Sequence, residues 1–359
     1  MGGAVRDTAI ILLITALMMA SVEIGVRIFA PQDLRTEYIE GGPLGLKDPV
    51  LGHVNRPNVH AHVRAPEFKV EYVVDSRGFR ANNIQENNDG SDAATKILLI
   101  GDSFTFGAAN QYDEIWAVKL SQLFKENDSD VEIINAGVPG YSTAQQALFL
   151  ERIFDDIRPD YVVVMYLPND LFANEPIEKS DDNRELATGD ASAVIGRGSK
   201  KSSLHSVTLL KRLLMNNDRL YSNLYKMTPR REYFETPVSD HVSHKIQATA
   251  SIFDRIHQFC EERNSKLVVV SVPQLFQVIE QASTGANEEN LDVSIPDARI
   301  RSLLADKDIV WISALDALSA HYAAEKQDLY HRYDGHLNAL GNDVMARLIY
   351  DELHPLLDS

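Results

Sequence analysis

Lys96-Ile-Leu-Leu-Ile-Gly-Asp-Ser-Phe-Thr-Phe-Gly107 decides the fold. An apolar run over 97–100 ends abruptly in Gly101-Asp102-Ser103. A short apolar run bounded by turn residues reads as a strand buried on both faces. Ser103 then stands at the carboxyl end of that strand, the edge where open parallel α/β sheets hold their ligands. A serine there is a candidate nucleophile. Alone it is a weak signal, because such chemistry also needs a base, a group that orients the base, and donors for an oxyanion.

Downstream, strand and helix patterns alternate. Residues 116–126 read as a helix with Trp116, Leu120, Leu123 and Phe124 on one face, and 131–135 as a second strand. Residues 144–157 are helical, and 161–166 (Tyr-Val-Val-Val-Met-Tyr) form a third, very apolar strand. Near-continuous hydrophobicity suits a parallel sheet covered on both faces. Residues 174–240 interrupt the pattern as an insertion: a polar Gly/Ser/Asp-rich loop, then a leucine-bearing helix over 207–227. Either a lid over the site or a decorated surface loop fits this insertion. The alternation resumes with a helix over 242–263, a strand over 266–272, a polar loop over 282–294, a strand over 309–312 and a helix over 338–353. This order predicts a doubly wound α/β/α sandwich with a parallel sheet of about five strands.

Upstream, residues 8–22 are an uncharged, mostly apolar run that continues through Glu23 and Arg27 to Ala30. Pairing of Glu23 with Arg27, four residues apart on one helix face, extends the run to a length that spans a bilayer. A cleaved signal peptide is the rival reading, but the run is preceded only by Arg6 beside Asp7, and no strong small-residue cleavage site follows. Residues 1–30 are therefore expected to be a transmembrane anchor. Residues 31–94 form a loop-rich membrane-proximal segment with one strand over 69–74. Residues 95–359 are the main domain.

The 359 residues carry a formal charge of −17 and no basic block, which argues against a nucleic-acid partner. The single cysteine, Cys260, excludes an intramolecular disulfide and reads as a buried structural thiol.

Further candidate groups recur at strand ends. Asn135-Ala-Gly137 follows the second strand, Pro168-Asn169-Asp170 the third, and Asp334-Gly-His336 precedes the last helix. The steps from 103 to 137 and from 137 to 169 are 34 and 32 residues, each about one βα repeat, so the three loops open on one sheet edge. Each residue also has a plain structural reading. Ser103 or Asp102 could cap a helix, Gly137 make a tight turn, Asn169 cap the next segment, and His336 lie on the surface. His331, Asp334 and His336 have no helical metal-ligand spacing, and no metal or other cofactor is expected.

Taken together, the four blocks resemble the GDSL/SGNH hydrolase family: Ser103 in Gly-Asp-Ser-Phe, Gly137 in Asn-Ala-Gly-Val-Pro-Gly, Asn169 in Pro-Asn-Asp, and His336 in Asp-Gly-His-Leu-Asn. The resemblance covers roughly residues 95–352. Phe104 stands where the family name has Leu, Leu167 where a glycine is common, and one residue rather than two separates Asp334 from His336. The resemblance implies a flavodoxin-like fold and a Ser103–His336–Asp334 triad. It also implies an oxyanion hole from the Ser103 and Gly137 N–H groups and the Asn169 amide. The layout looks most like membrane-anchored bacterial envelope members, with the catalytic domain on the extracytoplasmic, periplasmic side. Three functions stay open: a serine esterase removing a short acyl group, acetyl foremost, from a glycan or small molecule; an O-acyltransferase acting on an exported polysaccharide; and a non-catalytic envelope scaffold.

Overall fold

A computed structural model describes residues 2–34, 36–84, 95–168, 170–173, 204–283 and 290–357. The chain opens with helix α1 (Gly2–Phe29). Among the described residues it is the one helix long and apolar enough to cross a membrane, and its most apolar stretch is not buried by the rest of the chain. A single N-terminal apolar helix of this kind is consistent with membrane anchoring.

Six short strands follow: β1 (Glu37–Glu40), β2 (Gly45–Asp48), β3 (Gly52–Asn55), β4 (Val59–Arg64), β5 (Lys69–Val74) and β6 (Arg80–Ala81). They make an antiparallel sheet of order β1-β4-β5-β6 and a separate β2-β3 hairpin. The one strand expected here, 69–74, therefore has five companions. These strands are two to six residues long and carry His, Glu and Arg on their outer faces, which hid their alternation. The inner face packs Val59, Ala61, Val63, Val70, Tyr72 and Val74 against Phe106 of the main domain.

The main domain continues with β7 (Thr95–Ile100), α2 (Ser103–Phe106), α3 (Trp116–Glu126), β8 (Val131–Asn135), α4 (Thr143–Ile157), β9 (Tyr161–Tyr166) and α5 (Asp170–Ala173). Next come α6 (His205–Met215), α7 (Asp218–Lys226), α8 (Asp240–Glu261), β10 (Lys266–Ser271) and α9 (Leu275–Ala282). The chain closes with α10 (Ile295–Leu303), β11 (Val310–Ser313), α11 (Leu315–Glu325) and α12 (Ala339–Leu357). The five long-range strands pair in the order β11-β10-β9-β7-β8, every pair parallel. In chain order this is 5-4-3-1-2, the flavodoxin-like arrangement, whose switch point lies between β7 and β9. The predicted α/β/α sandwich is the observed architecture.

Strand alternation explains the two helical layers, because successive side chains leave opposite faces of a sheet. Leu98, Ile100, Val162, Val164, Leu267 and Val269 pack under α4, α8 and α10. Ile97, Leu99, Val163, Met165, Val268 and Val270 pack under α3, α9, α11 and α12. Cys260 is buried and free in the first of these layers, as expected.

The single helix expected over 207–227 is two, α6 and α7. The break falls at Asn216-Asn217, where the Asn217 side chain accepts the Leu220 N–H at 3.0 Å and caps α7. The expected Glu23–Arg27 pair is present at 2.7 Å. Glu23 does more than pair. Its carboxylate also accepts from the His205 and Ser206 backbone N–H groups (3.0 and 2.9 Å) and the Ser206 hydroxyl (2.7 Å). An acidic group is favoured at a helix N-terminus, so Glu23 of α1 caps α6 and ties α1 to the rest of the chain. The uncharged run 8–22 alone covers roughly 22 Å at helical rise, short of a bilayer core, so the paired Glu23–Arg27 turn is what completes a spanning length.

Candidate active site

Ser103 is the first residue of α2, immediately beyond β7. Asp102 caps that short helix, its carboxylate accepting the Phe104 N–H at 2.8 Å. The capping reading of this motif thus falls to Asp102 rather than to Ser103. The cap fixes the turn that lifts Ser103 to the sheet edge. The Ser103 N–H has no hydrogen-bond partner among the described residues.

His336 arrives from the loop before α12. Its Nε2 lies 2.7 Å from Ser103 Oγ, and its Nδ1 is hydrogen-bonded to Asp334 Oδ1. The His336 and Asp334 side chains are 21% and 29% exposed, so the chain of three groups is sheltered yet open to a small molecule. The ring of Phe104 packs on the imidazole at 4.9 Å between centroids. Asp334 and His336 meet across a tight turn rather than along an extended loop. Gly335 between them has φ +97°, the Gly335 N–H donates to His331 O at 2.7 Å and the His331 N–H to His336 O at 2.8 Å. A left-handed residue at this point favours glycine.

Burial alone would lower the His336 pKa. The Asp334 charge and hydrogen bond, with the Asp102 charge behind them, outweigh burial and raise it above its ordinary value. Asp334 is the mirror case: burial would raise it, but the His336 charge and hydrogen bond hold it below its ordinary value. Each group thus favours the charged form of the other.

Gly137 lies at the end of β8, and its place is dictated by close approach. A Cβ there would meet Phe106 N at 2.4 Å and the Thr105 carbonyl carbon at 2.8 Å, both backbone atoms of α2. Only glycine lets the second loop press against the helix that carries Ser103. The Gly137 N–H donates to Asn135 Oδ1 at 3.0 Å. Asn135 Nδ2 in turn donates to Thr105 O at 2.7 Å, so Asn135 bridges the two loops. Asn169, the third expected oxyanion donor, lies outside the described residues. Its neighbour Asp170 begins α5, buried at 3% exposure, and accepts from the Thr143 hydroxyl at 3.2 Å.

Asp170 and Asp102 are two buried carboxyls at adjacent strand ends. Burial pushes Asp102 up to about 6, against the Phe104 N–H and the His336 charge. Burial and the Asp102 charge push Asp170 well above the usual carboxylate range. Asp170 is therefore the partner that keeps its proton.

Sequence reasoning missed the contribution of residues 31–84. Glu67, in the turn between β4 and β5, accepts both the Tyr333 and Asp334 backbone N–H groups, at 2.9 and 2.6 Å. It holds the turn that presents the Asp334–His336 pair. The β2-β3 hairpin braces the Gly137 loop in the same way: Asn55 Nδ2 donates to Gly137 O at 2.9 Å, and His53 Nε2 donates to Pro139 O at 2.8 Å. No local pattern announces these bonds, because one partner in each is backbone.

The model of the GDSL-like Lipase/Acylhydrolase family matches residues 99–344. An arylesterase of Vibrio mimicus is 26% identical over 135 residues, 38% of this chain and 64% of that protein, so the match spans less than two thirds of that relative. Among solved structures, the psychrotrophic esterase EstA of a Pseudoalteromonas species superposes with TM-score 0.41 at 12% identity, over 74% of this chain and all of that one. An acetylxylan esterase of Geobacillus stearothermophilus gives TM-score 0.40 at 10% identity, over 73% and 94% of the two chains.

Proposed function

The chain belongs to the GDSL-like lipase/acylhydrolase family, a class of serine hydrolases, and from that premise we propose that it cleaves carboxylic esters at Ser103. The observation that carries the reading is the unbroken line of hydrogen bonds from Ser103 Oγ through His336 to Asp334. Ser103 Oγ attacks the ester carbonyl while His336 Nε2 takes the hydroxyl proton. The tetrahedral intermediate collapses, the C–O bond to the alcohol breaks, and His336 returns the proton to the leaving oxygen. Water, activated by the same nitrogen, then cleaves the acyl-serine and releases the acid. Asp334 keeps the ring in the tautomer that presents Nε2 to Ser103 and stabilises the imidazolium.

The oxyanion is received by the Ser103 N–H, the Gly137 N–H and the Asn169 amide. Such donors are typically worth about 2.7–4 kcal/mol each in the transition state. Gly137 must share or exchange its bond to Asn135 when the oxyanion forms. The substrate in this reading is a short acyl ester, acetyl foremost, on a glycan or small molecule. The α1 helix holds the domain at a membrane surface on the extracytoplasmic side.

The test is hydrolysis of p-nitrophenyl acetate by the full chain in detergent, beside Ser103→Ala. Turnover by the wild type with background rates in the variant is expected. No turnover, or equal turnover, contradicts the reading. Transfer of acetyl to an added oligosaccharide in preference to water would make the protein an acyltransferase instead. A reporter fused after Ser359 that is active only in the cytoplasm would overturn the placement.

A further inference from the structure

The outer face of the β1-β4-β5 sheet gathers a donor set that the ester chemistry leaves unused. His60 and His62 are two apart on β4, so both side chains leave the same face. Glu71 lies directly opposite His62 on β5. One donor atom from each of His60, His62 and Glu71 lies within 4.8 Å of the others. His60 Nε2 meets Glu71 Oε1, and His62 Nε2 stands 4.0 Å from Glu71 Oε2. The two imidazoles lie 5.0 Å apart between centroids, tilted by 35°. The opposite face of these strands is fully apolar, so the cluster is no part of the core.

We propose that His60, His62 and Glu71 bind a divalent transition-metal ion of the zinc class. Two imidazole nitrogens and one carboxylate are a known three-ligand set for such an ion, which completes a tetrahedron with water. Ligand atoms around a zinc at bond lengths of about 2.0–2.2 Å sit roughly 3.4 Å apart, a separation these side chains reach by small rotations. The third strand supplies the outer support. Glu40 pairs with His62 across β1 and β4, and Glu40 Oε2 stands 3.6 Å from His62 Nδ1. That nitrogen is buried and has no hydrogen-bond partner among the described residues. With Nε2 on the metal, the Nδ1–H is free to donate to Glu40, the carboxylate–histidine–metal arrangement that fixes a ligand's tautomer. Two carboxylates against two neutral imidazoles also match the charge of a divalent cation.

The place of the site gives it a consequence. It crosses β4 and β5, whose connecting turn carries Glu67 to the Asp334 backbone. A bound ion would stiffen the hairpin that holds that turn.

The experiment is equilibrium dialysis of the tag-free full chain in detergent against zinc, with metal content read by emission spectroscopy. Cobalt(II) serves as a spectroscopic stand-in. One zinc per chain is expected, with a visible cobalt band of tetrahedral intensity and a higher Tm in the presence of zinc. In His60→Ala/His62→Ala, affinity falls by at least about tenfold and the zinc-dependent rise in Tm disappears. Glu71→Gln makes the same comparison with the imidazoles intact, should the double variant fail to fold. Equal affinity in wild type and both variants overturns the proposal, as does a wild type that takes up no stoichiometric zinc.

Discussion

His336 Nε2 stands 2.7 Å from Ser103 Oγ across 233 residues of sequence. The contact joins the end of the first long-range strand to the loop before the last helix, and its other nitrogen is held by Asp334. If this line of groups performs the chemistry, its members fail together. His336→Ala is expected to lower kcat/KM for p-nitrophenyl acetate by at least about a thousandfold, with Ser103→Ala similar and the double variant little worse. Additive losses in the double variant would show that the two do not act as a unit.

The same contact fixes the direction of the pH dependence. His336 must be neutral to accept the serine proton, and the Asp334 charge and hydrogen bond raise its pKa against the opposing effect of burial. kcat/KM should therefore rise with pH through an apparent pKa above the ordinary 6.5 of histidine. Asp334→Asn removes the two larger raising influences and leaves only the Asp102 charge against burial, so the midpoint moves down as the rate falls. A pH–rate profile of the two proteins checks this. An unchanged midpoint in Asp334→Asn would detach that carboxylate from the base.

Glu67 acts at one remove from the reacting atoms. Its carboxylate accepts the Tyr333 and Asp334 N–H groups, and hydrogen bonds to a charged group are typically worth about 1.5–3 kcal/mol where sheltered. Glu67 is only half-buried, so the lower end applies. Glu67→Ala should cut kcat by about tenfold with KM little changed, because the turn loses its register rather than its binding surface. Glu67→Gln keeps an acceptor oxygen and should restore most of the rate. Steady-state kinetics and fluoride-free circular dichroism melts of both variants separate positioning from loss of fold.

Asp102 and Asp170 set a slope in stability. Both carboxyls titrate above the ordinary 3.8 in the folded chain. Between that value and their raised pKa values the folded state holds more protons than the unfolded state. Their contribution is fully present below 3.8 and is lost as pH rises through the folded values. Asp170→Asn mimics the protonated form and can still accept from the Thr143 hydroxyl. Its Tm should match wild type near pH 4 and exceed it at pH 8, read by thermal melts across that range. A Tm below wild type at pH 8 would mean that the Asp170 charge is needed.

The parts of the fold that were legible in the sequence share a physical trait. β7 and β9 are buried on both faces over most of their length, so their apolar runs are continuous and end sharply at the residues that carry the site, while the edge strand β8 is shorter and broken by Glu132. The segment 31–84 has the opposite character. Its sheet has one wet face, and histidines and glutamates alternate there with small apolar residues, so strands β1 to β4 left no clear run. Helix α10 was masked by a polar run and by Pro296 in its first turn. The site divides similarly. Ser103, Asp334 and His336 announced themselves through motif and strand position, and the structure brings those three together. Gly137 was legible as a glycine but not as the residue that touches the backbone of α2. Glu67, Asn55 and Asn135 were illegible because each is defined by a backbone group that it meets only after folding.

The most direct test of the account is the covalent reaction of Ser103 itself. The full chain in detergent is treated with a fluorophosphonate, digested, and mapped by mass spectrometry, beside Ser103→Ala and His336→Ala. One adduct is expected, on Ser103, absent from the first variant and formed far more slowly in the second. An unlabelled Ser103, or labelling at the same rate without His336, would contradict it.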